Sequence, residues 1–199
     1  RHHIPLSENM IRNIHTKVLP VDGIGGHYRA VPVYIRGAQH VPIPPQQVWN
    51  AMKNFLYRME HDAFVNPIEK AAFIHAEFVK IHPFQDGNGR TARLLMNYHL
   101  LANDLPPTSI KQKNRQAYFE TLEAYAVHDT LAPFVHLLRQ NMERELDGFL
   151  SMYAIHIDGH TLREIKPSLV PLAKAYRTQE TPLPERSSPS AMPPQGLER

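Results

Sequence analysis

The chain has 199 residues, 42% of them hydrophobic and 21% charged, with a formal charge of +3 and no cysteine. That suffices to bury the core of one domain, and it excludes disulfide staples and a thiol nucleophile, as suits a reducing compartment. No apolar run reaches the roughly 20 residues of a membrane-spanning helix, and so modest a charge gives no expectation of direct nucleic-acid binding.

In chain order, Ser7 caps a first helix whose apolar residues Met10, Ile11, Ile14 and Val18 follow helical spacing, ending before Pro20. Gly23, Gly25 and Gly26 break it. From His27 to Ile43 the residues Tyr28, Val31, Val33, Tyr34, Ile35, Val41 and Ile43 favour strand, and Gly37-Ala38-Gln39 can turn the chain back. This predicts a small β-hairpin with irregular edges, because Pro32 and Pro42 cannot donate to a ladder. Pro44-Pro45 starts a second helix through about Glu60, with Val48, Met52, Phe55, Leu56 and Met59 inward.

Asn66-Pro67-Ile68-Glu69 supplies an N-cap, a first-turn proline and a capping-box acid for a third helix running to Ile81. Its apolar positions run nearly all round, which predicts a central helix. A fourth helix spans Asn88 to Asn103, and two more cover Tyr118 to Ala126 and Leu131 to Met152. The fold class is therefore mainly α, a helical bundle with one small hairpin, and residues 1–155 form its domain. Residues 156–180 read as a short helix, centred on Thr161 to Tyr176, or a linker; residues 181–199, rich in Pro and Ser, read as a disordered tail.

The chemistry concentrates between His82 and Arg93. Gly87 and Gly89 let backbone N–H groups crowd around an anion without side-chain interference, at the positive end of the fourth helix. Arg90 and Arg93 share a face of that helix and can bracket a polyphosphate with forked hydrogen bonds. Asp86 suits phosphates only through a divalent cation, typically Mg²⁺. His82, at the end of the preceding helix, can take a proton near neutral pH. Together these describe a nucleotide on a helix N-terminus, a metal on Asp86, and a base for an attacking hydroxyl.

The string His82-Pro83-Phe84-Gln85-Asp86-Gly87-Asn88-Gly89-Arg90, with Arg93 following, resembles the Fic signature His-x-Phe-x-[Asp/Glu]-Gly-Asn-Gly-Arg-x-x-Arg at every specified position. The resemblance extends more loosely from about Leu6 to Tyr153, through Ile14-His15, Gly26-His27-Tyr28-Arg29 and Asn66-Pro67-Ile68. It implies a Fic-type helical bundle and a protein adenylyltransferase that moves AMP from ATP to a Ser, Thr or Tyr hydroxyl of a target protein. By the same resemblance His82 is the general base and Asp86 the Mg²⁺ ligand. Gly87, Asn88 and Gly89 hold phosphates, Arg90 and Arg93 reach the β- and γ-phosphates, and Tyr118 and Phe119 line the adenine pocket. Val31, Pro32, Val33, Tyr34 and Ile35 would be the flap edge that docks the target by strand addition, or else an ordinary packed hairpin.

Doc-type relatives that phosphorylate carry Lys where this chain has Gly89, so glycine favours nucleotidyl transfer. A phosphocholine transferase, a phosphotransferase and a non-catalytic nucleotide-binding interaction module stay open as alternatives. No [Ser/Thr]-x-x-x-Glu-[Gly/Asn] inhibitory helix is found, which leaves Arg93 free and the chain active as written. An inhibitory helix or antitoxin partner outside this chain, self-modification and a homodimer are left open. The compartment implied is cytoplasmic, or a host cytoplasm for a delivered effector. His75 reads as a packed core histidine, His156 and His160 lack a metalloprotease glutamate, and Lys111, Lys113 and Arg115 read as a solvated face.

Overall fold

A computed structural model describes residues 4–156, and among these it contains six α-helices and no strand. The expected linker helix and the Pro/Ser-rich tail lie outside the described residues. The helices are α1 (Glu8–Val18), α2 (Pro45–His61), α3 (Pro67–Ile81), α4 (Asn88–Ala102), α5 (Arg115–His128), entered through a 3-10 turn, and α6 (Ala132–His156). No helix among the described residues is long and apolar enough to cross a membrane.

The local signals act as their chemistry demands. Ser7 Oγ accepts from the Met10 N–H to open α1. Asn66 Oδ1 accepts from the Ile68 and Glu69 N–H groups at 3.0 and 2.9 Å, while the Glu69 carboxylate reaches back to the Val65 N–H, so three donors at the start of α3 are satisfied. The helix stops at Ile81 because Pro83 bars the right-handed conformation from His82, which turns into the left-handed region at φ 53°, ψ 58°.

That helix is the centre of the bundle. Every residue from Ala71 to Phe78 is buried, and its alanines allow close approach. α4 packs along it, α2 and α5 flank it, and α1 crosses α4 and α2. Phe134 of α6 reaches the His75 and Tyr118 rings, and the Asn114 side-chain amide donates to Asn141 Oδ1 at 2.8 Å where the 3-10 turn meets α6.

The hairpin expectation is corrected. Residues 27–43 form two extended legs around a turn at Gly37 (φ 82°), closed by the Ala38 N–H to the Ile35 carbonyl at 3.2 Å. No backbone ladder joins the legs among the described residues. Pro32 and Pro42 remove donors, and side chains hold the legs instead: both the Gln39 and His40 N–H groups donate to Glu123 Oε1, and His40 Nε2 donates to the Lys80 carbonyl.

His75, fully buried, shares a 2.9 Å hydrogen bond with Tyr118 Oη. Burial, with the nearby Arg93 charge, drops its pKa to about 3 from 6.5. Between those values the unfolded chain binds a proton that the native state refuses, so stability falls as the pH falls. Urea titrations from pH 7 to 4 should show this loss. His75→Gln should be less stable at pH 7 by about 1–3 kcal/mol yet lose less on acidification, with His15, His82 and His99 keeping the remaining slope.

Candidate active site

The loop between α3 and α4 is fastened from inside. The Phe84 ring is fully buried, stacked on His15 with centroids 3.6 Å apart and planes at 6°, and flanked by Tyr28 and Phe78. His15 carries two loop bonds: its Nδ1 accepts from the Gly26 N–H and its Nε2 donates to the Asp86 carbonyl, each at 2.9 Å. These partners fix the tautomer, and burial lowers the His15 pKa so the ring stays neutral.

Asn88 closes the loop on itself. Its Oδ1 accepts from the Phe84 N–H at 2.9 Å and its Nδ2 donates to the Phe84 carbonyl at 2.8 Å, with the side chain almost wholly buried. The residue expected among phosphate ligands therefore has its amide committed to the loop, which leaves the backbone N–H groups as donors. Gly87 sits at φ 76° as the N-cap of α4, and a Cβ there would lie 3.1 Å from His15 Nε2, so both conformation and space demand glycine. No side chain caps α4.

His82 is half-buried beside this terminus. Its N–H donates to the Phe78 carbonyl and its Nδ1–H to the Val79 carbonyl at 3.2 Å, which leaves the lone pair on Nε2. Its pKa lies below 6.5 because of burial, with Arg29 and His40 adding to the depression and Asp86 and the Val79 bond opposing it.

Asp86 is exposed; one oxygen accepts from the Gly87 N–H and the other lies 3.4 Å from Arg90 Nη2. Pairs this exposed are weak and easily exchanged for other partners. Arg90 also donates to the Val18 carbonyl at 3.1 Å. Arg93 is half-buried, with its charge close to the Tyr118 hydroxyl.

Tyr118 and Phe119 part company. Tyr118 is 6% exposed and packs against His75 and Phe134, and burial raises its pKa to about 12. It belongs to the interior, whereas Phe119 is 46% exposed with the Arg115 guanidinium 5.5 Å from its ring. In the flap, Val31 and Tyr34 are exposed and Val33 and Ile35 half-buried.

Among the described residues no cluster of three or more acidic or histidine side chains could cage a metal. A single exposed carboxylate fits Mg²⁺ that arrives with its own phosphate and water ligands. Sequence patterns gave no role to His15 and Arg29, which lie in the loosely resembling segments; the one signal of a packing role for His15 is its place on the apolar stripe of α1, four residues after buried Ile11.

The Fic/DOC family model matches residues 5–100, the span that contains the loop, all of α3 and all but the last two residues of α4. The chain belongs to the Fic/DOC family. It is 38% identical over 157 residues to the protein adenylyltransferase Fic of Nematostella vectensis, covering 75% of this chain. It is 37% identical over 179 residues to the same-named protein of Aedes aegypti, covering 86%. This Fic chain spans 35% of the length of each of those relatives. Among solved structures, Fic-1 from C. elegans superposes with a TM-score of 0.66 at 28% identity, over 74% of this chain and 44% of that one.

If Asn88 braces the loop, Asn88→Ala leaves a buried N–H and carbonyl on Phe84 unpaired and should cost about 1–3 kcal/mol in urea unfolding. Asn88→Asp, which sets a buried carboxylate oxygen against the Phe84 carbonyl, should cost at least as much.

Proposed function

We propose that this Fic domain is a protein adenylyltransferase, transferring AMP from ATP to a Ser, Thr or Tyr hydroxyl of a target protein. The observation that carries the reading is His82: a neutral imidazole whose Nδ1–H is held by the Val79 carbonyl, beside an uncapped helix N-terminus. The names of the relatives, each a protein adenylyltransferase, support it.

The phosphates would lie on the N–H groups of Asn88 and Gly89, and on that of Gly87 once Asp86 releases it, with the α4 dipole behind them. Arg90 would leave Asp86 for phosphate oxygens. Arg93 would meet the outer phosphates. Asp86 would then hold Mg²⁺, which supplies charge neutralisation on the phosphate oxygens when bound. Phe119 would offer its exposed face to the base.

His82 Nε2 takes the proton of the attacking hydroxyl. Its oxygen forms the new bond to the α-phosphorus while the bond from that phosphorus to the bridging β-oxygen breaks. Pyrophosphate leaves with the electron pair, and the arginines offset its charge. The flap residues Val31, Pro32, Val33, Tyr34 and Ile35, without ladder partners among the described residues, would present the target hydroxyl by strand addition.

Label from α-³²P-ATP with Mg²⁺ should enter proteins of a cell lysate in proportion to added chain, whereas label from γ-³²P-ATP should not rise above that laid down by the lysate's own kinases. His82→Ala should lower incorporation about 10²–10⁴-fold with ATP affinity nearly unchanged. Because only the neutral ring accepts a proton and its pKa lies below 6.5, the rate should be level at pH 7 and fall only as the pH drops below 6.5. Label from the γ-position that rises with added chain would instead indicate phosphoryl transfer.

A further inference from the structure

Arg29 is 3% exposed, yet among the described residues no carboxylate pairs with it. Every bond its guanidinium makes goes to a backbone carbonyl. Nε donates to His82 at 2.8 Å, Nη1 to Val31 at 3.3 Å, and Nη2 both to Ile43 and, at 3.5 Å, to Ile81. Its own N–H donates to the Pro83 carbonyl at 2.9 Å. One side chain thus joins the first leg of the flap at Val31, the second leg at Ile43, the end of α3, and the start of the motif loop.

Resting on the reading of His82 as the base and of residues 31–35 as the target-docking flap, we infer that Arg29 is a positioning residue that locks flap and base into one unit, setting the target hydroxyl in register with Nε2. Only a guanidinium has enough donors in a rigid fork to serve these carbonyls at once. Burying a cation without a counter-ion is costly; here the carbonyls satisfy its N–H groups, and the negative end of the α3 dipole, where Ile81 and His82 lie, offsets its charge. His82 needs the restraint. It occupies a left-handed conformation that side-chain-bearing residues avoid, and the Arg29 bond to its carbonyl secures the backbone turn from which Nδ1 reaches Val79.

The other end of the flap has separate anchors. Glu123 and His40 hold residues 39–40 against α5 and α3, so loss of Arg29 loosens the legs next to His82 without releasing the turn.

The test compares the full chain with Arg29→Gln and Arg29→Lys. One arm reads the tautomer of His82 by nitrogen-15 NMR of labelled histidine, a signal independent of any transfer reaction. The second measures Mg²⁺-ATP affinity, and the third the rate of α-³²P incorporation into lysate proteins.

Wild type should show His82 protonated on Nδ1. Both variants should drift toward the Nε2–H form that free imidazole favours. Their transfer should fall about 100-fold, the scale of a displacement near 1 Å, while ATP affinity stays within about threefold, since the phosphate cradle does not touch Arg29. Arg29→Lys, which keeps the cation, decides the matter if Arg29→Gln does not fold. A tautomer and a per-folded-molecule rate that stay at wild-type values in the folded variant overturn the proposal. If wild type transfers no label from ATP, the reading of function fails by itself, and the NMR arm still decides whether Arg29 controls His82.

Discussion

The buried ring of Phe84 is the contact on which the rest of the site depends. Stacked on His15 and flanked by Tyr28 and Phe78, it pulls the middle of an otherwise polar loop into the core, and losing such a ring costs about 3–5 kcal/mol in comparable settings. With Phe84 fixed, Asn88 can bond both its N–H and its carbonyl, and Gly87 can turn through its left-handed conformation hard against His15. The start of α4 is thereby aimed by packing rather than by a capping side chain.

Electrostatics follow from that geometry. His15, His75 and His82 are all held toward the neutral form, chiefly by burial, so the positive charge near the loop resides on arginines. Arg29 is turned inward to carbonyls, Arg93 is half-buried near Tyr118, and Arg90 is paired with exposed Asp86. The division assigns one cation to architecture and leaves two for an anionic ligand. A neutral imidazole among cations can accept a proton, whereas a charged one could not.

Much of this was legible because it is local. Asn66-Pro67-Ile68-Glu69 names the start of α3, the apolar residues round α3 name it as central, and the run from His82 to Arg93 states its own chemistry. What stayed hidden spans long stretches of chain. The His15–Asp86 and Arg29–His82 bonds join residues 71 and 53 positions apart, and nothing in a window around either end announces the other. The hairpin failed for a different reason: Val31, Val33 and Ile35 have strand propensity, but propensity describes a half-buried pleated surface and cannot replace the donors that Pro32 and Pro42 lack. The burial of Tyr118, expected at the adenine pocket, had a signal of its own. Tyr118 shares a helical stripe with buried Leu122 and Tyr125, one residue away from the exposed position of Phe119.

On the proposed function, the loop and the first turn of α4 form a ready-made phosphate cradle. Amide NMR of the nitrogen-15-labelled full chain, titrated with Mg²⁺-ATP, tests it most directly. Saturable shifts are expected at the Gly87, Asn88, Gly89 and Arg90 amides, with the buried amides of α3 little moved. Saturable ATP binding that left those loop amides in place, or no binding at all, would contradict it.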